Sequence, residues 1–487
     1  MTTRSVSLTL LRERPGGREV FWAERQKRRE FLGGFHAFFA GHLEKEDPDE
    51  GFGALRETFE ECGLFLGEAK KLSLFEPQGR STVPFRVADA WRARLHCFGW
   101  WSTPKWLEPP FLTQFFGLFL TQEEGSSLDE LSSYLDQEEF SRGEWITPEE
   151  ALSRWSRGEV FLSAPIIDIL RSLLDGEDSG DGEDAGNRPF GVSSEDPYSD
   201  GKIECIEHFV VYPLPTETLP PATHTNALLI GNKHFLIVDP GPLPGPDLDP
   251  LIELVEWRIE KGDKPLGIFI SHHHRDHIGG AQELTKRFSV PLCGTEETLQ
   301  QMGLEPSQEI QILKDGERIN VDGTGPLEVI RIEGHARGHA GLYLPERKLF
   351  FCADLVASKG TIVIIPPDGH MGTYLESLKR IELLAPKAML PSHGGLIVEP
   401  LIHLRSYFEH RMEREAKVLK ALRSLQRADV SALLPLVYPE VPPTLWPLAA
   451  KSLEAHLIHL EELGMARKVV SCAAEIYEAT SMPATSG

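Results

Sequence analysis

Cysteine is scarce in this chain of 487 residues, which contains only six, and no two of them form a Cys-x-x-Cys pair. So few cysteines exclude a disulfide-built scaffold and a zinc-finger arrangement, and they favour a reducing compartment. Long apolar runs are also missing: no stretch reaches the length of a membrane span, and the first residues lack the apolar segment of a signal peptide. These absences predict a soluble, cytoplasmic protein.

Positive charge is in deficit as well, with 50 Lys and Arg against 74 Asp and Glu and a formal net charge of -24. Such a surface repels nucleic acid and anionic lipid at long range, which excludes indiscriminate binding to either. A local basic face or bound metal ions would still allow a nucleotide or RNA substrate. The hydrophobic share of 41% suffices for several cores, and the length predicts two or three globular domains with α/β patterns.

Composition and periodicity divide the chain into five segments. Residues 175–204 are acidic and rich in Gly and Ser, with too few apolar side chains to bury, and are predicted to be a disordered linker. Residues 1–174 mix strand-like and helical patterns, and residues 205–400 alternate buried strands with helices. Residues 401–470 are mostly helical, and residues 471–487 are predicted to be a flexible tail. The pattern does not indicate an oligomeric state.

The stretch "FISHHHRDHIGG", residues 269–280, places four histidines and one aspartate in six consecutive positions between a strand pattern and a helix pattern. Alternate residues of an extended segment point the same way, so His272 and His274 can bind one ion together. Asp276 and His277, where the chain turns into the helix, can face a second ion. Imidazole and carboxylate groups suit zinc, and also iron or manganese, with zinc the default.

Three further ligand-type residues stand just after later strand patterns: His335, Asp354 and His393. With the histidine-rich stretch they make a complete binuclear site, with three imidazoles for one ion, Asp354 between the ions, and the second ion held by Asp276, His277 and His393. A solvent-exposed histidine loop would explain an isolated His-x-His. An exposed loop of this kind does not explain why residues of metal-binding type also stand at three other strand ends.

The unbroken His-x-His-x-Asp-His motif resembles that of the metallo-beta-lactamase fold superfamily, and the resemblance covers about residues 205–401. It implies an αββα sandwich, in which Asp239 of "TNALLIGNKHFLIVDPGP" supports the site from behind the ligands. The segment "GTIVIIPPDGHMGTYLESLKRI" is similar to the beta-lactamase-like endoribonucleases, and glyoxalase II is a more distant relative. The carboxyl-terminal helices look like the small winged-helix-like cap of the same group.

The ligand set predicts a metal-dependent hydrolase. Two divalent ions would share a water molecule, lower its pKa toward roughly 7 and stabilise the charge that develops during displacement. The metal-bound hydroxide would attack a phosphodiester, as in single-stranded RNA, or a small-molecule thioester, and Asp276 would orient it or accept its proton. The endoribonuclease resemblance favours RNA slightly.

A second motif lies in the amino-terminal domain, where the order Arg-Glu-x-x-Glu-Glu-x-Gly is formed by Arg56, Glu57, Glu60, Glu61 and Gly63. On a helix the three glutamates share a face, and magnesium bound between that face and a phosphate substrate would relieve their repulsion. A solvated acidic helix face is the ordinary alternative.

This segment resembles the Nudix box, with Gly41 and Asp47 as its earlier elements, and later segments look like the Nudix subgroup that includes peroxisomal coenzyme A diphosphatases. The resemblance implies a Nudix-like α/β fold and makes the three glutamates magnesium candidates. Asp47 stands where the box has Glu, which leaves diphosphatase activity open.

The helical segment "LRSYFEHRMEREAKVLKALRSLQR", which begins at Leu404, is a basic island in an acidic chain. It is either a solvated amphipathic helix or a wall for substrate phosphates. The chain as a whole is expected to be an enzyme. The competing interpretation is a binding module, in which the Nudix-like domain senses a nucleotide or coenzyme A derivative and regulates a thioester hydrolase.

Overall fold

The computed structural model describes residues 3–29, 32–66, 72–74, 89–103, 111–175, 203–470 and 475–480. Contacts divide the chain into two compact units, Met1–Tyr212 and Pro213–Gly487. Within the described ranges, no helix is both long and apolar enough to cross a bilayer.

The first unit is an α/β domain. Its strands are β1 (Thr3–Arg14), β2 (Gly17–Arg25), β3 (His36–Ala37), β4 (Phe39–His42), β5 (Leu64–Leu66), β6 (Leu72–Leu74), β7 (Leu95–Ser102), β8 (Phe111–Leu120), β9 (Phe140–Ile146) and β10 (Ile203–Ile206). Its helices are α1 (Glu50–Cys62), α2 (Asp89–Arg92), α3 (Gln122–Ser126), α4 (Pro148–Ser156) and α5 (Ala164–Asp175). Strand β11 (Phe209–Pro215) runs across the boundary between the units.

The main sheet of the first unit has the order β3-β2-β1-β8-β7, with β1 parallel to β8 and antiparallel to β2. Successive strand residues point to opposite faces, so β1 contributes Leu8 and Leu10 to one apolar cluster and Leu11 to another. Helix α1 packs on the first cluster, and helices α4 and α5 pack on the second. The sheet therefore carries helices on both faces, which is the α/β arrangement predicted from the sequence. The Nudix-like assignment of this domain stays a prediction.

The second unit contains two further sheets. Strands of the first are β12 (His224–Ile230), β13 (His234–Val238), β14 (Lys264–Phe269), β15 (Leu292–Gly294) and β16 (Ile310–Ile312). The second has β17 (Arg318–Val321), β18 (Gly325–Arg331), β19 (Ala340–Leu344), β20 (Leu349–Ala353) and β21 (Ala388–Pro391), in sequence order. The accompanying helices are α6 (Asp249–Glu260), α7 (Arg275–Ile278), α8 (Ala281–Phe288), α9 (Glu296–Gln301) and α10 (Met371–Leu384).

The last part of the chain combines helices with a small sheet. Its elements are α11 (Pro400–Leu425), β22 (Arg427–Ala428), α12 (Val430–Val437), α13 (Trp446–Glu462), β23 (Ala466–Val470) and β24 (Glu475–Ala479). The small sheet has the order β22-β24-β23, and its two strand pairs are antiparallel. Helices and sheet enclose one apolar cluster, in which Leu422 and Leu453 are fully buried.

Two predicted boundaries need correction. The predicted flexible tail is wrong for Glu475–Ala479, because β24 pairs with β22 and β23 and buries Tyr477. A five-residue strand with two glutamates carries too weak an alternation to be recognised in the sequence. The predicted linker lies mostly outside the described residues, and its two ends belong to α5 and β10. The remaining domain limits stay predictions.

Candidate metal centre

The histidines and aspartates singled out in the sequence stand where strands end. β13 is followed by Asp239, β14 by the histidine-rich stretch, β18 by His335, β20 by Asp354 and β21 by His393. Buried strands hold their final residues firmly, while the loops that follow are free to present polar side chains. The two sheets of the second unit therefore deliver all of these groups to one place.

The first group consists of three imidazoles. His272 Nε2 lies 3.0 Å from His274 Nδ1, and His335 Nε2 lies 2.9 Å from the same atom. Tetrahedral ligands with metal–nitrogen distances of about 2.0–2.1 Å would lie roughly 3.3 Å apart. Three nitrogens converging at nearly this spacing are what a single ion requires.

The second group consists of Asp276, His277 and His393, whose donor atoms all lie within 4.8 Å of one another. His393 Nε2 is 3.6 Å from Asp276 Oδ2, and His277 Nε2 is 3.8 Å from Asp276 Oδ1. These separations are too long for hydrogen bonds and fit ligands around a shared ion.

Asp354 stands between the two groups. Its Oδ2 lies 3.6 Å from His335 Nε2 in the first group and 3.7 Å from His277 Nε2 in the second, and its Oδ1 lies 3.4 Å from His393 Nε2. The preceding residue, Ala353, has a φ of 42°, a left-handed conformation that is costly for a residue with a side chain. The backbone is thus strained at the point that aims this carboxylate between the groups.

Three of the rings that face the centre are oriented through their other nitrogen. The Nδ1–H of His335 donates to the Val363 carbonyl at 2.8 Å, and that of His393 donates to the His224 carbonyl at 2.9 Å. The Nδ1–H of His277 donates to Asp239 Oδ2 at 2.9 Å. A ring whose Nδ1 carries the proton presents a bare Nε2, which is the form that binds a metal.

Asp239, expected to support the site from behind, is fully buried and also accepts from Ser271. The Ser271 backbone N–H donates to Oδ1 at 2.8 Å, and the hydroxyl donates to Oδ2 at 2.6 Å. The Ser271 hydroxyl in turn lies 3.0 Å from His272 Nδ1. One carboxylate therefore orients a ring of each group.

Two residues near the centre were not identified from the sequence. Asp368 Oδ2 lies 3.5 Å from His274 Nε2, the nitrogen that points away from the first group, and 3.5 Å from His273 Nε2. Thr218 Oγ1 lies 3.5 Å from His393 Nε2. The only signal for Asp368 was that His274 needs an acceptor for its second nitrogen, and this does not indicate which of the chain's many acids supplies it.

The electrostatics of the centre suit cations. Burial by itself would raise the pKa of Asp354, but the neighbouring His393 and His277 hold that pKa well below its usual range. Burial lowers the pKa of His272 well below its usual value and lowers that of His335 to about 4. Buried His277 Nε2 and Asp354 Oδ1 have no hydrogen-bond partner among the described residues. Buried polar atoms are rarely left without a partner, and bound divalent ions would coordinate both of these atoms.

The glutamates of α1 are arranged differently. Arg56 Nη1 donates to Glu57 Oε1 at 3.0 Å and to Glu60 Oε1 at 3.2 Å, while Glu61 Oε2 accepts from the Ala40 backbone N–H at 2.9 Å. They do not occur among the carboxylate and histidine groups within the described residues that could share one ion. Arg56 is buried and also binds Asp47 through a fork of two hydrogen bonds, at 3.0 and 2.9 Å.

Three arginines of α11 are engaged within the chain. Arg405 donates to Glu382, Arg414 donates to Glu440 and to the Val437 carbonyl, and buried Arg411 donates to the Ile362 carbonyl. The basic island is therefore not a free wall for phosphates at these three positions.

Comparisons with known proteins agree with this architecture. Residues 220–393 match the model of the metallo-beta-lactamase superfamily, and residues 430–473 match that of the beta-lactamase associated winged helix domain. A beta-lactamase domain protein from Burkholderia ambifaria superposes with a TM-score of 0.51 at 20% identity, covering 57% of this chain and 93% of that one. This likeness concerns the fold alone.

Relatives of known name match the same region. A beta-lactamase-like protein 2 homolog from Drosophila melanogaster is 29% identical over 222 residues, which are 43% of this chain and 73% of that protein. Hydroxyacylglutathione hydrolase from Wigglesworthia glossinidia brevipalpis is 30% identical over 34% of this chain and 58% of its own length. Atrochrysone carboxyl ACP thioesterase nsrC from Aspergillus novofumigatus is 26% identical over 42% and 59%.

Residues 220–393 therefore have the metallo-beta-lactamase fold, residues 430–473 match the associated winged helix domain, and the chain is an enzyme. The fold binds divalent metals, typically two, and the histidine and aspartate groups fit this number.

Proposed function

We propose that the second unit is a binuclear metal hydrolase that cleaves acyl thioesters. His272, His274 and His335 would hold one divalent ion, Asp276, His277 and His393 would hold the other, and Asp354 lies between the two groups. The observation that carries the proposal is the convergence of seven donor side chains from four strand ends on two adjacent points. Zinc is the default on ligand type, because histidine and aspartate dominate both groups.

Two divalent ions bound here supply an activated water nucleophile and a Lewis acid for the developing oxyanion. The chain's own residues would transfer the proton, orient the ligands and exclude bulk water. Asp276, whose side chain is 16% exposed, would accept the proton of the attacking water. Asp239 keeps His277 in the tautomer that leaves Nε2 unprotonated. The buried walls around His272 exclude bulk water, which strengthens each electrostatic contact.

The thioester assignment is supported by the named activities of two relatives, hydroxyacylglutathione hydrolase and an ACP thioesterase. A formal net charge of -24 disfavours a polyanionic substrate, and three arginines of α11 have partners within the chain. The slight preference for single-stranded RNA drawn from the sequence gains no support from the comparisons, and RNA is kept as the competing substrate in the test. The cytoplasmic location also stays a prediction.

The test combines metal analysis with a substrate panel. The purified full chain should carry about two equivalents of divalent metal by mass spectrometry and hydrolyse acyl-glutathione or acyl-coenzyme A. His274→Ala should lose metal and activity, while His234→Ala, an exposed histidine on β13, should keep both. Cleavage of labelled single-stranded RNA without thioester cleavage would overturn the substrate assignment. Full activity in metal-free His274→Ala would overturn the mechanism.

A second candidate activity belongs to the first unit, where we propose magnesium-dependent diphosphate hydrolysis at Glu57, Glu60 and Glu61. It is favoured by the packing of Gly41, since a Cβ there would lie 2.1 Å from the Glu57 carboxylate, so the glycine makes room for it. Burial raises the pKa of Glu57 to about 7, which is unlike a solvated acidic face. Magnesium-dependent release of phosphorylated products from coenzyme A or nucleotide sugars, lost in Glu60→Gln, would support it. Magnesium-independent binding of the same compounds, without turnover, would instead support the sensing alternative.

A further inference from the structure

The loop of residues 355–364 contacts three of the proposed metal ligands. It begins directly after Asp354, its Ser358 N–H donates to the His393 carbonyl at 3.2 Å, and its Val363 carbonyl accepts from His335 Nδ1 at 2.8 Å. This loop contains no helix or strand, so its carbonyls need partners from elsewhere. The positions of these ligands thus depend on whatever holds the loop.

Helix α11 supplies those partners from one face. His403 Nε2–H donates to the Ala357 carbonyl at 2.8 Å. Tyr407 Oη accepts from the Ala357 N–H at 2.9 Å and lies 2.9 Å from the Gly360 carbonyl, to which it donates. Arg411 donates to the Ile362 carbonyl, one residue before the carbonyl that orients His335. The spacing of four residues between these three side chains places them along a single helix face.

Arg411 is only 4% exposed, and it has no carboxylate partner within ion-pair distance in the parts of the chain that the structure describes. Its guanidinium lies 5.4 Å from the centroid of the Tyr374 ring, and Tyr374 Oη donates to the Leu355 carbonyl at 2.7 Å. A buried cation compensated by a carbonyl and a ring is costly for stability alone. Its contacts lead to both ends of the loop, which favours a role in holding the loop's conformation.

The same helix continues into a different core. Leu404 and Tyr407 belong to the apolar cluster beneath the loop, whereas Val418 and Leu422 belong to the cluster of the winged helix region. Helix α11 lies between the two matched family regions, residues 220–393 and 430–473. It is therefore a continuous rod that packs against the loop at one end and against the winged helix core at the other.

We propose that His403, Tyr407 and Arg411 are positioning residues for the metal centre. They act through the loop on His335 and Asp354, so metal affinity and ligand geometry would depend on a helix that contributes none of the proposed ligands. The inference rests on the proposed function, because it concerns the same centre. It also assigns Arg411 a role other than contact with substrate phosphates.

The test uses cobalt(II), whose visible absorption reports the ligand geometry, and a chromophoric chelator that competes for the metal. Arg411→Met and Tyr407→Phe should weaken metal binding by about tenfold or more and change the cobalt spectrum, since partners behind the ligands typically contribute 10–100-fold. Arg411→Lys, which keeps a donor, should recover part of the affinity. Glu409→Gln, on the exposed face of the same helix, is the matched control and should leave spectrum and affinity unchanged.

The outcomes separate the two proposals. If Arg411→Met and Tyr407→Phe fold and show the wild-type spectrum and affinity, the positioning role is refuted while the metal centre stands. Should Arg411→Met fail to fold, Tyr407→Phe alone decides, because it removes one hydroxyl and keeps the ring in the core. If the wild-type chain and Glu409→Gln bind no cobalt, the proposed centre itself fails, and the positioning role fails with it.

Discussion

Replacing Asp239 by Asn should weaken the second metal position without changing any ligand. The carboxylate accepts the Ser271 N–H at one oxygen, and it accepts both the Ser271 hydroxyl and the His277 Nδ1–H at the other. The amide of Asn has only one oxygen, so it can replace only one of the two accepting oxygens of the carboxylate. If its oxygen keeps the Ser271 N–H, its NH2 group faces two donors, and His277 must move its proton to Nε2, the atom that should bind metal.

The magnitude follows from the role of this carboxylate. Loss of a partner behind a metal ligand typically costs 10–100-fold in affinity, which is about 1.4–2.8 kcal/mol. Asp239 is completely buried, so the mismatched amide should also lower the free energy of unfolding of the metal-free protein by about 1–3 kcal/mol. Both effects should appear together, because the same hydrogen bonds serve packing and ligand orientation.

The assay is stepwise titration of the metal-free chain with zinc against a chromophoric chelator, with urea denaturation in parallel. We expect the position that contains His277 to weaken more than the position formed by the three histidines. Asp249→Asn, an exposed aspartate in the first turn of α6, makes the same change of charge and is the control. Wild-type affinity at both positions in a folded Asp239→Asn protein would refute the reasoning.

Three further predictions concern the second unit. Gly334→Ala should lower both the free energy of unfolding and the metal content, because Gly334 has a φ of 118° and a Cβ there would lie 2.2 Å from the Tyr374 N. Gly303→Ala is the control: Gly303 has a φ of 63° but open space around it, so urea denaturation should show only the smaller loss that backbone strain causes. Burial would raise the pKa of Glu415, but hydrogen bonds from His456 and His459 lower it to about 2, and the bond to Glu415 raises the pKa of His459. The Glu415 contribution to stability is present above its ordinary pKa of 4.5 and is lost as pH falls toward 2, while that of His459 is present below 6.5 and is lost at higher pH. In urea denaturation, the free energy of unfolding of the wild-type chain should exceed that of Glu415→Gln by most between pH 4.5 and pH 6.5. A difference that does not vary with pH would contradict the assignment. Removal of metal by a chelator should lower the melting temperature and abolish hydrolysis, and added metal should restore both. A ligand present at a hundred times its dissociation constant stabilises the folded state by about 2.7 kcal/mol. An unchanged melting temperature would contradict the presence of bound ions.

The sequence predicted the central domain well because its signals are local. The apolar runs that became β13, β14, β18 and β21 each end at a Gly, Asp or His, and buried strands leave this pattern without help from distant residues. The motif from His272 to His277 places four donor atoms within one short connection. Within each predicted group the donor atoms lie close together in space, and their binding of metal stays a prediction.

Predictions that depended on a partner far along the chain fared differently. The short polar segment Glu475–Ala479 became a strand because β22 and β23 offer hydrogen bonds on both sides. Backbone partners of this kind leave no trace in the segment's own composition.

The order of residues by itself determined that side chains of metal-binding type follow strand ends, because periodicity and residue type are properties of neighbouring positions. Only the tertiary structure decided which nitrogen of each imidazole faces the centre, and that Asp368 and the loop held by α11 stand behind the ligands. Those choices depend on distances of about 3 Å between atoms contributed by separate elements, where hydrogen bonding falls off steeply with distance. Such distances arise only after the two sheets and α11 have packed.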